Sequence, residues 1–206
     1  MASTVVDYQR THVPLREWTA LSARLGAFVD SLIDRKDVIA AIGVAATPIV
    51  GGTRPAGVFD QSTGTVTVDA AQTLLPEAEP GRIDLRDRRD CAAHPVLAGV
   101  VAHESGHAAH TVCRGMQRAR TEQWSALLEE PRMEGRIVAG RPSVRTWLQA
   151  SATQIIGMRE PTSASSAASM LLLLGGRIAA GVFDADDLPD LTGLAAEHLT
   201  GEQIDV

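Results

Sequence analysis

Two cysteines, a single lysine, no excess of positive charge and no long apolar run set the first boundaries on this 206-residue chain. Cys91 and Cys113 are too few for a disulfide framework, so reduced thiols are expected. Lys36 is the only lysine; every other basic side chain is an arginine, a fork-shaped donor suited to carboxylates. A net charge of -6 and a pI near 5.5 give no basic footprint, so neither nucleic acid nor a membrane surface is expected as a partner. The apolar stretches Met170 to Leu174 and Ile178 to Val182 are separated by Gly175, Gly176 and Arg177. Both fall far short of the ~20 residues of a membrane span. The first twenty residues carry Asp7, Arg10, Arg16 and Glu17 and lack an apolar run, so no signal peptide is expected and the localisation expected is cytoplasmic.

What is present is ordinary globular material, 45% apolar, enough for one domain over 1–206. Its N-terminal part, 1–75, reads as a helix followed by a small sheet. Leu15, Trp18, Leu21, Leu25, Phe28, Val29, Leu32 and Ile33 recur at three- and four-residue spacing, which predicts an amphipathic helix. Val38 to Ala46 is compatible with a strand or with the end of a second helix. Residues 57–69 alternate around a polar, glycine-containing turn and predict a β-hairpin. Residues 76–94, dense in acids, arginines, prolines and glycine, read as an exposed connection. Pro95 opens a helix over 95–114 that Gly115 ends. A helical part over 121–206 follows, with patterns near 121–138, 143–157, 163–180 and 191–199. The fold class expected is α+β, predominantly helical, with a small β-hairpin or sheet before the central helix.

That central helix carries the sequence His103-Glu104-Ser105-Gly106-His107. Residues four apart project from one face on successive turns, so both imidazoles can reach one Zn²⁺ at ~2.0–2.1 Å. Glu104 then lies beside the metal, where it can take a proton from a water whose pKa zinc has lowered toward ~7. Between Val96 and Val112 it is the only charged residue apart from histidines, on a helix otherwise apolar or small on every side. A buried unpaired carboxylate costs several kcal/mol, and a metal supplies the compensation. The plainer alternative makes His103 and His107 hydrogen-bonded core residues and gives Glu104 an arginine partner.

With these residues the chain resembles the zincin metallopeptidases. The resemblance implies a zincin-like domain, Zn²⁺ as cofactor, Glu104 as the catalytic residue, and a peptide or protein as substrate. In zincins a strand or hairpin precedes the active-site helix and its edge strand pairs with an extended substrate; Thr65 to Asp69 fits that order. A third ligand is required. The metzincin pattern would need glycine at 110 and histidine at 113, where this chain has His110 and Cys113. The gluzincin pattern takes a glutamate from a later helix, often followed four residues on by an acid that orients a zinc histidine. Glu130 and Glu134 have that spacing, so Glu130 ranks first as ligand, Glu129 second and Glu134 third. The string Leu128-Glu129-Glu130-Pro131-Arg132-Met133-Glu134 is also similar to a segment of proteins associated with von Willebrand-type and cobalt-chelatase-type assemblies, which would match Glu129, Arg132 and Glu134. Without the histidine motif the same acids would read as an exposed helix start with Pro131 in its first turn.

His110 lies two turns from His103 on nearly the same face and is expected beside the cleft. Arg132, Arg141 and Arg145 could pair with Glu134 or stabilise an oxyanion. His12, His94 and His198 are isolated. Trp18, Trp124 and Trp147 are expected in the core. The function this points to is zinc-dependent peptide-bond hydrolysis. A zincin-like binding or regulatory module, working with a partner protein in a larger assembly, is the alternative.

Overall fold

The computed structural model describes residues 13–43, 55–111, 119–155 and 163–188. Within them the protein is α+β and mostly helical, with one three-stranded sheet. Helix α1 (Leu15–Leu32) buries Trp18, Leu21, Leu25, Phe28, Val29 and Leu32, and Ile33 just beyond it is buried too, whereas Leu15, the first member of the predicted stripe, stands exposed at the start of the helix. Arg141 Nε donates to the Leu32 carbonyl at 2.6 Å and so satisfies one of the acceptors that a helix C-terminus leaves open.

The run after α1 forms a strand, β1 (Ile39–Gly43), and the predicted hairpin forms β2 (Gly57–Asp60) and β3 (Thr65–Asp69). Gly64 turns the hairpin with φ 63°, a conformation open to glycine. The order is β1-β3-β2, with β3 parallel to β1 and antiparallel to β2. This corrects the expectation that Thr65 to Asp69 is an edge. The strand is central, and β2 lies at the edge beside the long central helix. Alternation of Val66 and Val68 identifies a strand with one buried face, but it carries no information on how many neighbours pair with it. Asp69 ends β3 and accepts from Ala71 N at 2.8 Å, capping the short helix α2 (Ala70–Thr73).

Residues 76–94 are more than an exposed connection. They hold a 3₁₀ turn (Pro80–Arg82) and helix α3 (Arg88–Ala93), and they bury Pro80, Ile83, Leu85 and Cys91. Arg24 makes this possible by donating to the carbonyls of Ile83 at 2.5 Å and Pro80 at 2.7 Å. Cys91 is a free thiol whose Sγ donates to Leu85 O; burial pushes its pKa up to about 11.

Helix α4 (Pro95–His110) has Pro95 in its first turn, where the missing N–H is not needed. Its described end is His110, short of the expected 114; Cys113 and Gly115 lie outside the described residues. Helix α5 (Ala119–Gly140) places Pro131 in its interior, so the acidic residues sit mid-helix and not at a helix start. A 3₁₀ turn (Pro142–Val144) leads to α6 (Arg145–Ile155), and α7 (Ala164–Ala179) begins at a capping box of Ser163 and Ser166. The predicted helix at 191–199, His12 and His198 fall outside the described residues.

Trp18 is in the core, and Trp147 packs its ring 5.6 Å from that of Phe28. Trp124 departs from expectation: it stands 43% exposed on α5. The core itself is built by α1, the sheet, α4 and α6. Helices α4 and α6 cross at contact distance, because a Cβ on Gly99 would lie 2.1 Å from Trp147 O and 2.5 Å from Ser151 Oγ.

Helix propensity and packing therefore make opposite predictions at Gly99. Propensity alone would have alanine stabilise the helix by about 1 kcal/mol. The backbone contact should reverse the sign, so that Gly99→Ala destabilises by about 1–3 kcal/mol in urea denaturation. Gly175→Ala in α7, where a Cβ meets nothing within 4 Å, is the control and should be neutral or stabilising. Equal effects at the two positions would contradict the packing described.

Candidate metal centre

The residues of α4 are so uniformly small or apolar that the helix is buried on nearly all sides, including Leu97, Val100, Val101, Ala102 and Ala108. Glu104 is buried with them, and His103 and His107 are half-buried with ring centroids 4.9 Å apart. Helix α5 passes close to them. A Cβ on Gly106 would lie 2.0 Å from Met133 Sδ, so glycine at 106 permits this approach. It brings Glu130 Oε2 to 2.9 Å from His103 Nε2 and 3.4 Å from His107 Nε2.

The outer partners of the two imidazoles decide what those distances mean. His103 Nδ1 is 2.7 Å from Glu134 Oε1. Glu134 also takes two bonds of 2.7 Å from Arg177, Nε to Oε2 and Nη2 to Oε1, in a pair buried on both sides. A carboxylate so held is an acceptor, so Nδ1 of His103 carries the proton and donates it. His107 Nδ1 is 2.9 Å from Thr111 Oγ1. The Thr111 hydroxyl donates to the Glu129 carboxylate, which Arg132 holds through Nε and Nη2. Thr111 oxygen therefore accepts from His107, and that Nδ1 is protonated as well.

Both Nε2 atoms, in their neutral form, then present lone pairs toward the same Glu130 oxygen. Three acceptors converge, all within 4.8 Å of one another. Such a set repels itself unless positive charge lies among its members, either a proton on an imidazole or a metal ion. Ligand atoms on a tetrahedral zinc lie roughly 3.3 Å apart, close to the observed separations. The donor set, two imidazoles and a carboxylate with hydrogen-bonded outer partners, fits a divalent metal.

The electrostatics express the same demand. Burial opposes a charge on His103, but its hydrogen bonds to Glu130 and Glu134 outweigh burial and raise its pKa to about 10. Burial likewise pushes Glu130 up, and the two histidines overcome it and draw Glu130 well below the usual carboxylate range. Glu104 differs, since burial dominates there and raises its pKa, although His103 and His107 pull it down and the Phe59 N–H donates to it. Glu104 is packed against β2. A Cβ on Gly57 would lie 2.8 Å from both its Cγ and its Oε1.

Two cavities meet at these residues and share Gly57, His103, Glu104 and Glu130. One, of about 460 Å³, extends between α4, α5, α6 and α7. The other, of about 360 Å³, runs along β2 past His107, Gln61 and Thr111.

Of the residues singled out from sequence, His103, Glu104, His107, Glu130 and Glu134 are brought together. Glu129 and Arg132 form an ion pair one step further out, linked to His107 through Thr111. His110 lines neither of these two cavities; its carbonyl accepts from Arg132 at 2.8 Å. Arg141 is engaged at the end of α1, and Arg145 with Val182 O and Asp184, so neither pairs with Glu134. The partner of Glu134 is Arg177, which sequence reasoning missed. Its signal was available, because it is the one charged residue in the small and apolar helix α7. Thr111 and Gly57 were also missed, and nothing in their sequence context marks them. No protein family, characterised protein or solved structure was found to match the chain.

Removing one member of a buried ion pair leaves a charge without compensation. Arg177→Met should destabilise by about 3–5 kcal/mol, and adding Glu134→Gln should recover part of that loss. The pair should also shape the acid limb of stability. Burial raises the Glu134 pKa, but His103 and Arg177 together bring it below the ordinary value. Folded Glu134 therefore binds fewer protons than unfolded Glu134, and its contribution is complete above ~4.3 and lost as pH falls through the lower folded value. Denaturation midpoints measured across pH 7 to 3 should fall more steeply for the native pair than for the double variant that combines Glu134→Gln with Arg177→Met.

Proposed function

We propose that this chain is a zinc-dependent peptidase with a zincin-like domain, in which His103, His107 and Glu130 would hold the metal. One observation carries the reading: both imidazoles are committed through Nδ1 to outer acceptors, which turns both Nε2 atoms onto one carboxylate oxygen. Among the three glutamates, Glu130 is the ligand because Glu134 is engaged by Arg177 and His103, and Glu129 by Arg132 and Thr111. Zinc bound there supplies Lewis acidity, polarising a carbonyl and making a water ionisable near neutral pH.

The chain's own contribution is positional. Glu104 is fixed by the Phe59 N–H and by the side of Gly57, so its carboxylate stays beside the histidines and not between them. Burial makes it a stronger base than a solvated glutamate, suited to accepting a proton from the attacking water at a carboxylate oxygen. The same proton passes to the amide nitrogen as the C–N bond breaks, leaving a carboxylate and an amine. The zincin resemblance implies that an extended substrate lies along an edge strand, and β2 is the strand at that edge.

Purified protein should bind one zinc, lost to a chelator and restored by Zn²⁺, and hydrolysis of a peptide library should follow metal content. His103→Ala, His107→Ala and Glu130→Gln should each abolish tight binding, whereas Glu129→Gln should keep it. Glu104→Gln should retain zinc and lose hydrolysis by roughly 10²-fold or more. Full activity in Glu104→Gln would exclude the mechanism. Zinc bound without hydrolysis of any peptide would favour a regulatory module.

A further inference from the structure

The larger cavity has a composition that the proposed chemistry does not require. Val100, Leu127, Ala152, Ile155 and Leu173 supply its walls. The polar side chains deeper in it are already engaged: Glu134 with Arg177, and Ser151 with the Leu148 carbonyl. A ligand entering this space therefore meets apolar surface, with no unmet hydrogen bond to answer among those groups. Size adds a second constraint. An apolar cavity of about 150 Å³ is enough for a benzene-sized group. At about 460 Å³ this one is about three times larger, more than one side chain fills.

The apolar character also continues outward on two walls. On α5, Trp124 and Leu128 are exposed and share a helical face with Leu127, which lines the cavity. On α7, exposed Leu172 adjoins Leu173, which lines the facing wall. On the opposite flank of Glu104 the smaller cavity has a different lining, in which Gln61, Thr111 and His107 stand beside Val58 and Phe59.

We propose that the larger cavity receives a run of two or three consecutive apolar side chains from one side of the cleaved bond, so that the substrate is a polypeptide with an apolar segment adjoining that bond. This rests on the reading of the site as a peptidase. A buried run of this kind belongs to a segment exposed only when its parent protein is unfolded, unassembled or terminal, which sets apart such chains from folded surfaces. Selectivity comes from apolar burial, because the charged groups of Arg177 and Glu134 in the lining already neutralise each other.

The test uses binding to zinc-loaded Glu104→Gln, so that it does not depend on turnover. Three short fluorescein-labelled peptides serve as probes: one with consecutive Leu and Phe residues, one polar throughout, and a polar one carrying a dodecanoyl cap. The Leu/Phe peptide should bind roughly tenfold or more tightly than the polar one by fluorescence anisotropy. Adding Ala126→Trp, which fills the cavity from an exposed helix position, or Leu173→Asp, which charges its wall, should remove that preference. Zinc content and Tm should stay unchanged in at least the Ala126→Trp protein. Equal binding of the Leu/Phe and polar peptides overturns the proposal, as does a preference that survives Ala126→Trp. Tighter binding of the acylated probe than of the Leu/Phe peptide overturns it in favour of a lipid-bearing ligand. Hydrolysis separates the two readings. If the native enzyme cleaves polar and apolar peptides alike, the peptidase stands and the substrate class falls. If the Leu/Phe peptide binds selectively and is never cleaved, the cavity assignment stands and the peptidase reading falls.

Discussion

The demand for positive charge between two imidazole nitrogens and one carboxylate oxygen, inside the crossing of α4 and α5, is the constraint on which this structure turns. With both imidazoles neutral, His103, His107 and Glu130 present three acceptors to one another, and the raised His103 pKa expresses the pull for a positive charge among them. The arrangement is held from behind, by Glu134 on one ring and Thr111 on the other, so neither ring can rotate away without losing a hydrogen bond. Each of those partners is itself held, Glu134 by Arg177 and Thr111 by the Glu129–Arg132 pair. Two chains of polar contacts thus run outward from the cluster, one into the interior and one toward solvent. The inward chain is the stiffer, because Glu134 and Arg177 are both buried and each satisfies the other.

A polar cluster of this kind needs the backbones around it to approach closely, and glycines at a few positions allow that. Gly106 admits Met133 between α4 and α5, and Gly57 lets β2 lie against Glu104. Gly176 accepts the ring of Pro131, where a Cβ would lie 2.7 Å from its Cγ, so the proline interrupting α5 is packed against α7 beside the helix face that carries Arg177. Sheet and helices have divided tasks. The central strand β3 is buried through Val66 and Val68, and the edge strand β2 gives the Phe59 N–H to Glu104. Support of the Glu104 carboxylate from two directions is what the proposed reading requires of a base that would stay beside a metal without joining its ligands.

Sequence alone determined the long helices α1 and α4, the hairpin and the motif. Helical spacing in Leu15–Leu32, alternation in the hairpin, Pro95 at a helix start and the pair of histidines four apart are local signals. They depend on residues within a turn or two of one another, and the structure reproduces them. The burial of α4 was legible for the same reason, since a helix without charged residues other than the motif has no face to offer water. The relation of Glu130 to Glu134 was legible too, as i and i+4 positions on one helix.

What tertiary structure decided are the relations between segments distant in the chain. Which of three neighbouring glutamates faces the histidines depends on the rotation of α5 about its axis, set by Met133 packing at Gly106 and Pro131 at Gly176. Arg177 lies 43 residues from Glu134, and no periodicity links them. The central place of β3 depends on β1 arriving in parallel from across the sheet, a pairing that alternation within β3 does not encode. Trp124, on a helical pattern like the other two tryptophans, is exposed because no described element packs over its face of α5. Local pattern fixes which face of a segment is apolar, whereas the partner for that face is chosen by the packing of the whole chain.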